Sequence, residues 1–326
     1  MSRLPTPWYW RGVTSQALRP LAALYRSAQH VRSQRRRCEP HELPLIIVGN
    51  PRVGGSGKTP ISLDLVARLR APCARAAWVG RGVGGTGYCG LISSEQTAQD
   101  VGEEAAMAFA RLGADCFAGV PRSRLIAAAF ERGCAVVVSD DGMQSPDLRS
   151  DQLVVVLRAE DPWGNGRRLP AGPLREGPEC LERADLIVWH GLDLGAPELP
   201  AQADERWVSA WYELELPDLD RAQGIGLCTS IADPERFRRS VEAQGLPVDQ
   251  LVARADHRRL PLATLDRDLI WLTTEKDMAR HHHELPAGLD LRVVGLRLCW
   301  GDPQGRVDQL LRRALKRDVD TEESSQ

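Results

Sequence analysis

Gly54, Gly55, Ser56 and Gly57 run directly into Lys58 and Thr59, and residue types in that order suit the handling of phosphate. Glycine backbones can turn their N–H groups inward around an anion at the N-terminus of a following helix. Lys58 would then reach the β- and γ-phosphates of a nucleotide, and the Thr59 hydroxyl would ligate Mg²⁺. The usual spacing, G-x-x-x-x-G-K-[ST], asks for glycine at position 52, where this chain carries Arg52.

Other residues of chemical interest fall after apolar runs. Asp140 and Asp141 follow CAVVV (134–138), where P-loop proteins place the carboxylate that organises Mg²⁺. Adjacent acids at a strand end also serve as plain turn residues. Glu103 and Glu104 stand at a helix start, as a catalytic carboxylate or as charges that the helix dipole alone favours. Arg81, Arg122, Arg167, Arg168 and Arg175 could clamp phosphates bidentately. His257, beside Asp256, has the makings of a general base. The run His281-His282-His283 lacks matched partners and reads as a solvated loop. Thr273-Thr274-Glu275-Lys276-Asp277 superficially matches a guanine-reading motif. Its Lys and Asp are adjacent, however, and no D-x-x-G follows the third strand, so a GTPase reading fails twice.

The elements that must position these residues follow from periodicity. Residues 44–48 (PLIIV) form a β-rich, continuously apolar run suited to a buried parallel strand, and 60–70 read as a helix with Pro60 tolerated in its first turn. Strands are expected at 75–79, 116–120, 134–138, 153–157 and 186–189, with helices at 100–112 and 122–132. That alternation predicts an α/β fold: a P-loop doubly wound parallel sheet binding ligands at the strand C-termini. A long loop, 158–177, rich in Gly, Pro and Arg, has the length of a functional loop. Residues 191–206 read as a linker. Strands at 207–216, 224–228, 250–253, 269–273 and 291–298, with helices at 234–244 and 304–316, make a second, smaller α/β domain. The expected organisation is a basic amphipathic arm (1–40), a P-loop core domain (41–205), the smaller domain (206–316) and an acidic, disordered tail (317–326).

Composition narrows the class. Eight cysteines are scattered without a CxxC pair, which indicates neither a zinc site nor a disulfide framework and fits a reduced, cytosolic setting. The net charge is −2, yet residues 1–38 hold eight arginines and no acid, so the rest of the chain carries −10. In that arm Leu18, Leu21, Tyr25 and Ala28 recur at helical spacing beside Leu24 and Val31, after Trp8, Tyr9 and Trp10. This is the composition of an N-terminal amphipathic helix at a membrane surface; a core-docked helix with a solvated basic face is the competing reading. No apolar run approaches the ~20 residues of a spanning helix, and no signal-peptide pattern is present. Aromatic residues do not interleave with the basic cluster, so no nucleic-acid partner is expected.

Taken together, GNPRVGGSGKTP (49–60), GRGVGG (80–85), VGEEA (101–105), DDGMQ (140–144), GNGRRLPAGPLREG (164–177), RAD (183–185), ADPERF (232–237), ADH (255–257) and TTEKD (273–277) resemble, in order and over nearly the whole chain, the tetraacyldisaccharide 4'-kinases of lipid A biosynthesis. The resemblance implies two α/β/α domains joined by a two-stranded linker. It also implies peripheral attachment at the cytoplasmic face of the bacterial inner membrane, with the arm as membrane and acyl-chain contact. The reaction implied moves the γ-phosphate of ATP, with Mg²⁺, to the 4'-hydroxyl of a lipid A precursor disaccharide. Lys58 and the loop amides would hold ATP, and Thr59 with Asp140 or Asp141 would organise Mg²⁺. Glu103, partnered by His257 on domain closure, would accept the hydroxyl proton, while Arg175 and Glu176 would shape the nucleotide or metal site.

Several positions depart from the family pattern. The family's Ser-Arg-Gly-Tyr is Gly80-Arg81-Gly82-Val83 here, and its Gly-Asp-Glu-Pro is Gly102-Glu103-Glu104-Ala105, which lengthens the catalytic carboxylate by one methylene. Its DDGFQH ends in Ser145, and its Asp-His-His is Asp256-His257-Arg258. The alternative reading is therefore a catalytically impaired homologue that binds nucleotide or lipid as a scaffold.

Overall fold

The structure is a computed structural model. It describes residues 13–34, 41–54, 57–71, 74–219, 223–231, 233–254, 259–275, 277–278 and 285–323. The chain divides into two compact units, one built on Trp211–Cys299 and the other on the stretches up to Leu192, Ala196–Ala210 and from Trp300.

The larger unit opens with helices α1 (Val13–Ala17) and α2 (Arg19–Gln34) and then builds a sheet from β1 (Leu45–Gly49), β2 (Ala76–Gly80), β3 (Gly90–Leu91), β4 (Cys116–Ala118), β5 (Val136–Asp140), β6 (Gln152–Arg158) and β7 (Leu186–Leu194). Their order is β7-β6-β1-β5-β2-β4-β3, with every pair parallel except β3 against β4. Helices α3 (Lys58–Arg70), α4 (Ala98–Val101), α5 (Glu103–Leu112) and α6 (Arg122–Glu131) supply the connections. β1 and β5 are buried at every position because helices cover both faces, which is why their sequences are apolar throughout instead of alternating. Leu45, Ile47, Val137, Val155, Leu125 and Ile126 share one core cluster. On α3, Ile61, Leu65 and Leu69 are buried, and Ser62 accepts a 3.0 Å hydrogen bond from the Trp78 indole of β2.

The smaller unit is a parallel sheet ordered β10-β9-β11-β12, from β9 (Ile225–Thr229), β10 (Gln250–Ala253), β11 (Ile270–Thr274) and β12 (Leu291–Gly301), with helix α7 (Pro234–Glu242). Successive strand residues point to opposite faces, so Ile225, Leu227, Ile270 and Leu272 pack in one core while Cys228 and Trp271 pack in another. Asp277 gathers the strand ends. It accepts from Thr229 Oγ1 at 2.7 Å, from Thr274 Oγ1 at 2.9 Å and from the Ser230 N–H and hydroxyl. Burial opposes its charge, but these hydrogen bonds outweigh it and hold the carboxyl below its ordinary range. The TTEKD motif thus ends in a buried strand-end clasp rather than a base-reading group. β8 (Trp207–Glu215) and β12 are the strands along which the chain passes from one unit to the other.

Four expectations are corrected. The helix expected over 100–112 is two helices, because Gly102 takes φ 89° and breaks it. The strand before the acid pair runs on through Asp140, so only Asp141 belongs to the turn. The linker expected from 191 begins later, since β7 continues to Leu194 before Gly195 turns at φ 94°. The tail expected to be disordered from 317 is helical to Glu323, in α8 (Arg306–Glu323), whose sequence contains no glycine or proline to stop it.

Asp115, at φ 49° ahead of β4, receives Arg75 Nε and Nη2 at 2.8 Å each and Arg132 Nε at 3.2 Å. The hydrogen bonds from Arg75 hold its carboxyl below the usual range. A depressed folded-state pKa stabilises above the ordinary Asp value, ~3.9, and that stability is lost as pH falls through the lower folded value. Asparagine tolerates the same backbone conformation, so Asp115→Asn isolates the charge. Its Tm at pH 7 is expected to fall by roughly 2–4 °C, with the gap from native closing in melts near pH 3. A gap of equal size at both pH values would show that the charge is irrelevant.

Candidate active site

Parallel pairing puts the C-terminal ends of β1 and β5 side by side, with Val48 registered against Asp140. β1 then breaks into the glycine loop, and β5 ends in the acid pair, so loop and acids meet for a topological reason. Gly57 ends the loop at φ 80° as N-cap of α3. An added Cβ there would lie 2.6 Å from the buried His190 ring of β7, so glycine is demanded by both conformation and space. Gly54 also has positive φ, at 114°. Gly55 and Ser56 lie outside the described residues, as does His257.

Lys58 and Thr59 open α3 with Pro60 behind them. Lys58 Nζ lies 3.3 Å from Asn50 Oδ1 and 3.6 Å from Asp141 Oδ1. Thr59 is buried, and its side chain lies close enough to Asp140 to draw that carboxyl's pKa down. Asp140 is 3% exposed, and burial pushes its carboxyl up to about 6 against the opposing pull of Thr59 and Lys58; Glu104 and Asp141 add to the rise. Its Oδ1 has no hydrogen-bond partner among the described residues. Asp141 differs: burial raises its pKa, but Lys58 and Arg175 overcome that and hold it below the ordinary range. Its left-handed backbone, φ 51°, turns it away from the strand line toward them.

Arg175 Nη1 donates to both Asp141 oxygens, at 2.9 and 3.0 Å, and to Gln144 Oε1 at 3.0 Å. The Gln144 amide donates to Glu176 Oε1 at 2.9 Å and to the Asn50 carbonyl at 3.3 Å. Arg183 pairs with the other oxygen of Glu176. Arg175 and Glu176, expected near nucleotide or metal, are thus brought to the acid pair by the 158–177 loop. Arg122, 1% exposed, donates to Ser139 Oγ at 3.1 Å, while its Nε and Nη2 have no partner among the described residues. Burial draws its pKa down; Asp141 and Asp140 oppose that, and the charge of Arg81 also reaches it. Arg81 itself is exposed at the end of β2.

Glu103 is exposed on the first turn of α5. A Cβ on the preceding Gly102 would meet the Val83 carbonyl at 2.4 Å, and one on Gly85 would meet the Asp100 carbonyl at 2.3 Å. The glycines of GRGVGG therefore let backbone approach backbone and fix where α5 begins. Of the two glutamates, Glu104 is the one whose charge Asp140 feels. Arg167 and Arg168 turn elsewhere, Arg167 to Ser15 Oγ at 2.8 Å and Arg168 to Glu179.

Sequence reasoning passed over Asn50, Gln144 and Arg183. Gln144 stands inside the DDGMQ motif, four residues after Asp140, and that spacing was the available signal. Arg183 opens the RAD motif (183–185), but its pairing with Glu176 depends on a loop closing back and left no local mark.

Thr59 and Asp140 form a hard-oxygen pair with one carboxylate oxygen uncommitted, which suits Mg²⁺ held together with substrate phosphates. Among the described residues no group of three or more His, Cys, Asp or Glu is arranged to hold a metal.

Comparison with known proteins gives a consistent result. A family model described as LpxK, Tetraacyldisaccharide-1-P 4'-kinase, matches residues 14–316. A tetraacyldisaccharide 4'-kinase of Halorhodospira halophila is 34% identical over 301 residues, covering 85% of this chain and 87% of the relative. One of Jannaschia sp. is 33% identical over 338 residues, covering 94% and 99%. Among solved structures, the "apo" form LpxK from Aquifex aeolicus in complex with ATP matches with a TM-score of 0.74 at 22% identity, over 92% of this chain and 99% of that one, a likeness of fold.

Proposed function

The chain belongs to the tetraacyldisaccharide-1-P 4'-kinase family, and from that premise we propose that it transfers the γ-phosphate of ATP to the 4'-hydroxyl of a tetraacyldisaccharide 1-phosphate, a lipid A precursor. The observation that carries this reading is the convergence of Lys58, Thr59, Asp140 and Asp141 at the ends of two adjacent parallel strands.

Phosphoryl transfer asks a protein chiefly for positioning and charge neutralisation. The loop amides and Lys58 hold the β- and γ-phosphates. Thr59 and Asp140, with Asp141 beside them, would hold Mg²⁺, which when bound would supply neutralisation of phosphate charge. Arg175 fixes the Asp141 carboxylate through both oxygens, and Gln144 ties Glu176 to the same frame. Arg122, buried behind the acid pair with two donors uncommitted among the described residues, adds positive potential. Glu103 accepts the proton of the sugar hydroxyl, its exposure leaving it open to an acceptor.

A lipid substrate supports the reading that the protein works as a peripheral enzyme at the cytoplasmic face of the inner membrane. Among the described residues no helix is long and apolar enough to cross a membrane. On α2, Leu21 and Leu24 are 52% and 65% exposed, apolar surface available to a bilayer from the basic arm. ATP and Mg²⁺ belong to the larger unit, which carries the phosphate loop and takes in the chain again from Trp300, so the smaller domain expected over 206–316 is confined to the unit built on Trp211–Cys299.

The direct test is transfer of radiolabelled γ-phosphate from Mg-ATP to a tetraacyldisaccharide 1-phosphate in detergent micelles. ATP binding without transfer would favour the alternative reading, a scaffold that holds nucleotide or lipid. In the same assay Glu103→Gln is expected to lower kcat by about 10²-fold, the scale of a lost general base. Glu104→Gln should have the smaller effect, and the reverse order would move the base to Glu104.

A further inference from the structure

Arg52 occupies the position where the usual phosphate-loop motif has glycine, and its side chain does not point to solvent. The residue is 7% exposed, and Nη1 lies 2.7 Å from Asp161 Oδ2 while also donating to the Asp161 carbonyl. The other carboxylate oxygen of Asp161 accepts the Gly164 N–H at 2.8 Å, so one side chain joins the glycine loop to the start of the long loop.

The backbone repeats that link farther along the same loop, at residues 173–176. Val53 N–H donates to the Pro173 carbonyl at 2.9 Å, and the Arg175 and Glu176 N–H groups donate to the Pro51 carbonyl at 2.6 and 3.2 Å. Arg52 itself forms a bridge with Leu174. Between its two attachments the long loop is internally tied. Leu169 N–H donates to the Leu174 carbonyl at 2.8 Å, Leu174 N–H to the Arg167 carbonyl at 3.1 Å, and Gly172 N–H to the Arg168 carbonyl at 3.0 Å. A Cβ on Gly172 would meet Asn165 Oδ1 at 2.1 Å, so the loop is packed against itself too closely for a side chain there. A loop tied in this way carries a displacement at one end to the other, and its far end carries Arg175 and Glu176.

We propose that Arg52 is a positioning residue: its ion pair with Asp161 fixes residues 161–176 on the limb of the glycine loop and so sets Arg175 against Asp141 and Glu176 against Gln144. The inference rests on the ATP-dependent lipid kinase reading above and deepens it. The glycine that the usual spacing asks for at position 52 would remove this contact. A misplacement of about 1 Å at a phosphoryl-transfer site costs up to ~10²-fold in rate, whereas Lys58 and the loop amides continue to hold ATP.

The test compares the native chain with Arg52→Gly, Asp161→Asn, the double variant and Arg52→Lys. ATP binding is measured by calorimetry, γ-phosphate transfer by steady-state kinetics and folding by thermal melts. Each single change is expected to lower kcat by about tenfold or more with KM for ATP within about threefold of native, and Arg52→Lys to recover part of the loss. The double variant should be no slower than the slower single one, because two residues acting through one contact are not additive. Native kcat in both single variants, additive losses, or losses that follow Tm with no recovery by lysine would each overturn the proposal. If Arg52→Gly does not fold, Asp161→Asn decides by the same criteria. A native chain that neither binds ATP nor transfers phosphate would instead remove the kinase reading itself, an outcome distinct from an active enzyme indifferent to position 52.

Discussion

Lys58→Ala is expected to lower kcat/KM for ATP-dependent phosphoryl transfer by about 10³-fold, roughly 4 kcal/mol of transition-state stabilisation, while Tm stays close to native. The side chain lies at the first turn of α3, pointed back over the loop by its contacts with Asn50 Oδ1 and Asp141 Oδ1. On the proposed reading those contacts hold the ammonium where β- and γ-phosphate charge would develop, and in a partly buried setting one preplaced cation is worth far more than in water. None of the apolar packing of α3 depends on it, because Ile61, Leu65 and Leu69 carry that load. Steady-state transfer assays with parallel melts check both parts. A loss smaller than about tenfold would mean that the arginines and Mg²⁺ neutralise the phosphates without Lys58.

Asp141→Asn should be about as costly, near 10³-fold in kcat, for a different reason. Asn keeps the shape and tolerates φ 51°, so the backbone turn after β5 survives. What disappears is the charge that Lys58 and Arg175 both face. Arg175 would keep one neutral acceptor in place of a carboxylate gripped through both oxygens and would turn further toward Gln144. The expected signature is a fall in kcat with tighter or unchanged ATP affinity, since two cations are released toward the phosphates while metal organisation is lost. Calorimetric ATP titration with and without Mg²⁺ reads this directly. Native kcat in Asp141→Asn would assign the metal to Asp140 and Thr59 alone.

These two expectations draw on information of different kinds. Lys58 was legible from the sequence, because a strand, three glycines and Lys-Thr at fixed spacing can be recognised without knowing what surrounds them. The acid pair was half legible. Its place after an apolar run marked it as a site, but the run gave no means of telling the two carboxylates apart. The structure separates them: Asp140 closes the strand, buried, with its carboxyl raised to about 6, whereas Asp141 turns out at positive φ and is held low by two cations. Similarly, GRGVGG was legible as a glycine loop, yet its close approach to the start of α5 was not, because the partner backbone lies about twenty residues away.

The sequence by itself determined the α/β alternation, the parallel buried strands and the phosphate loop, because each depends on local periodicity or on residue types at short fixed spacing. It also determined family membership, since many short motifs in a fixed order leave little room for another fold. Only the tertiary structure decided which groups meet. Gln144 joins Asn50 to Glu176, Arg183 pairs with Glu176, and Arg52 reaches Asp161 across more than a hundred residues. Such pairings depend on where a long loop closes and on which strand lies beside β1, and closure over that distance leaves no local pattern in the chain.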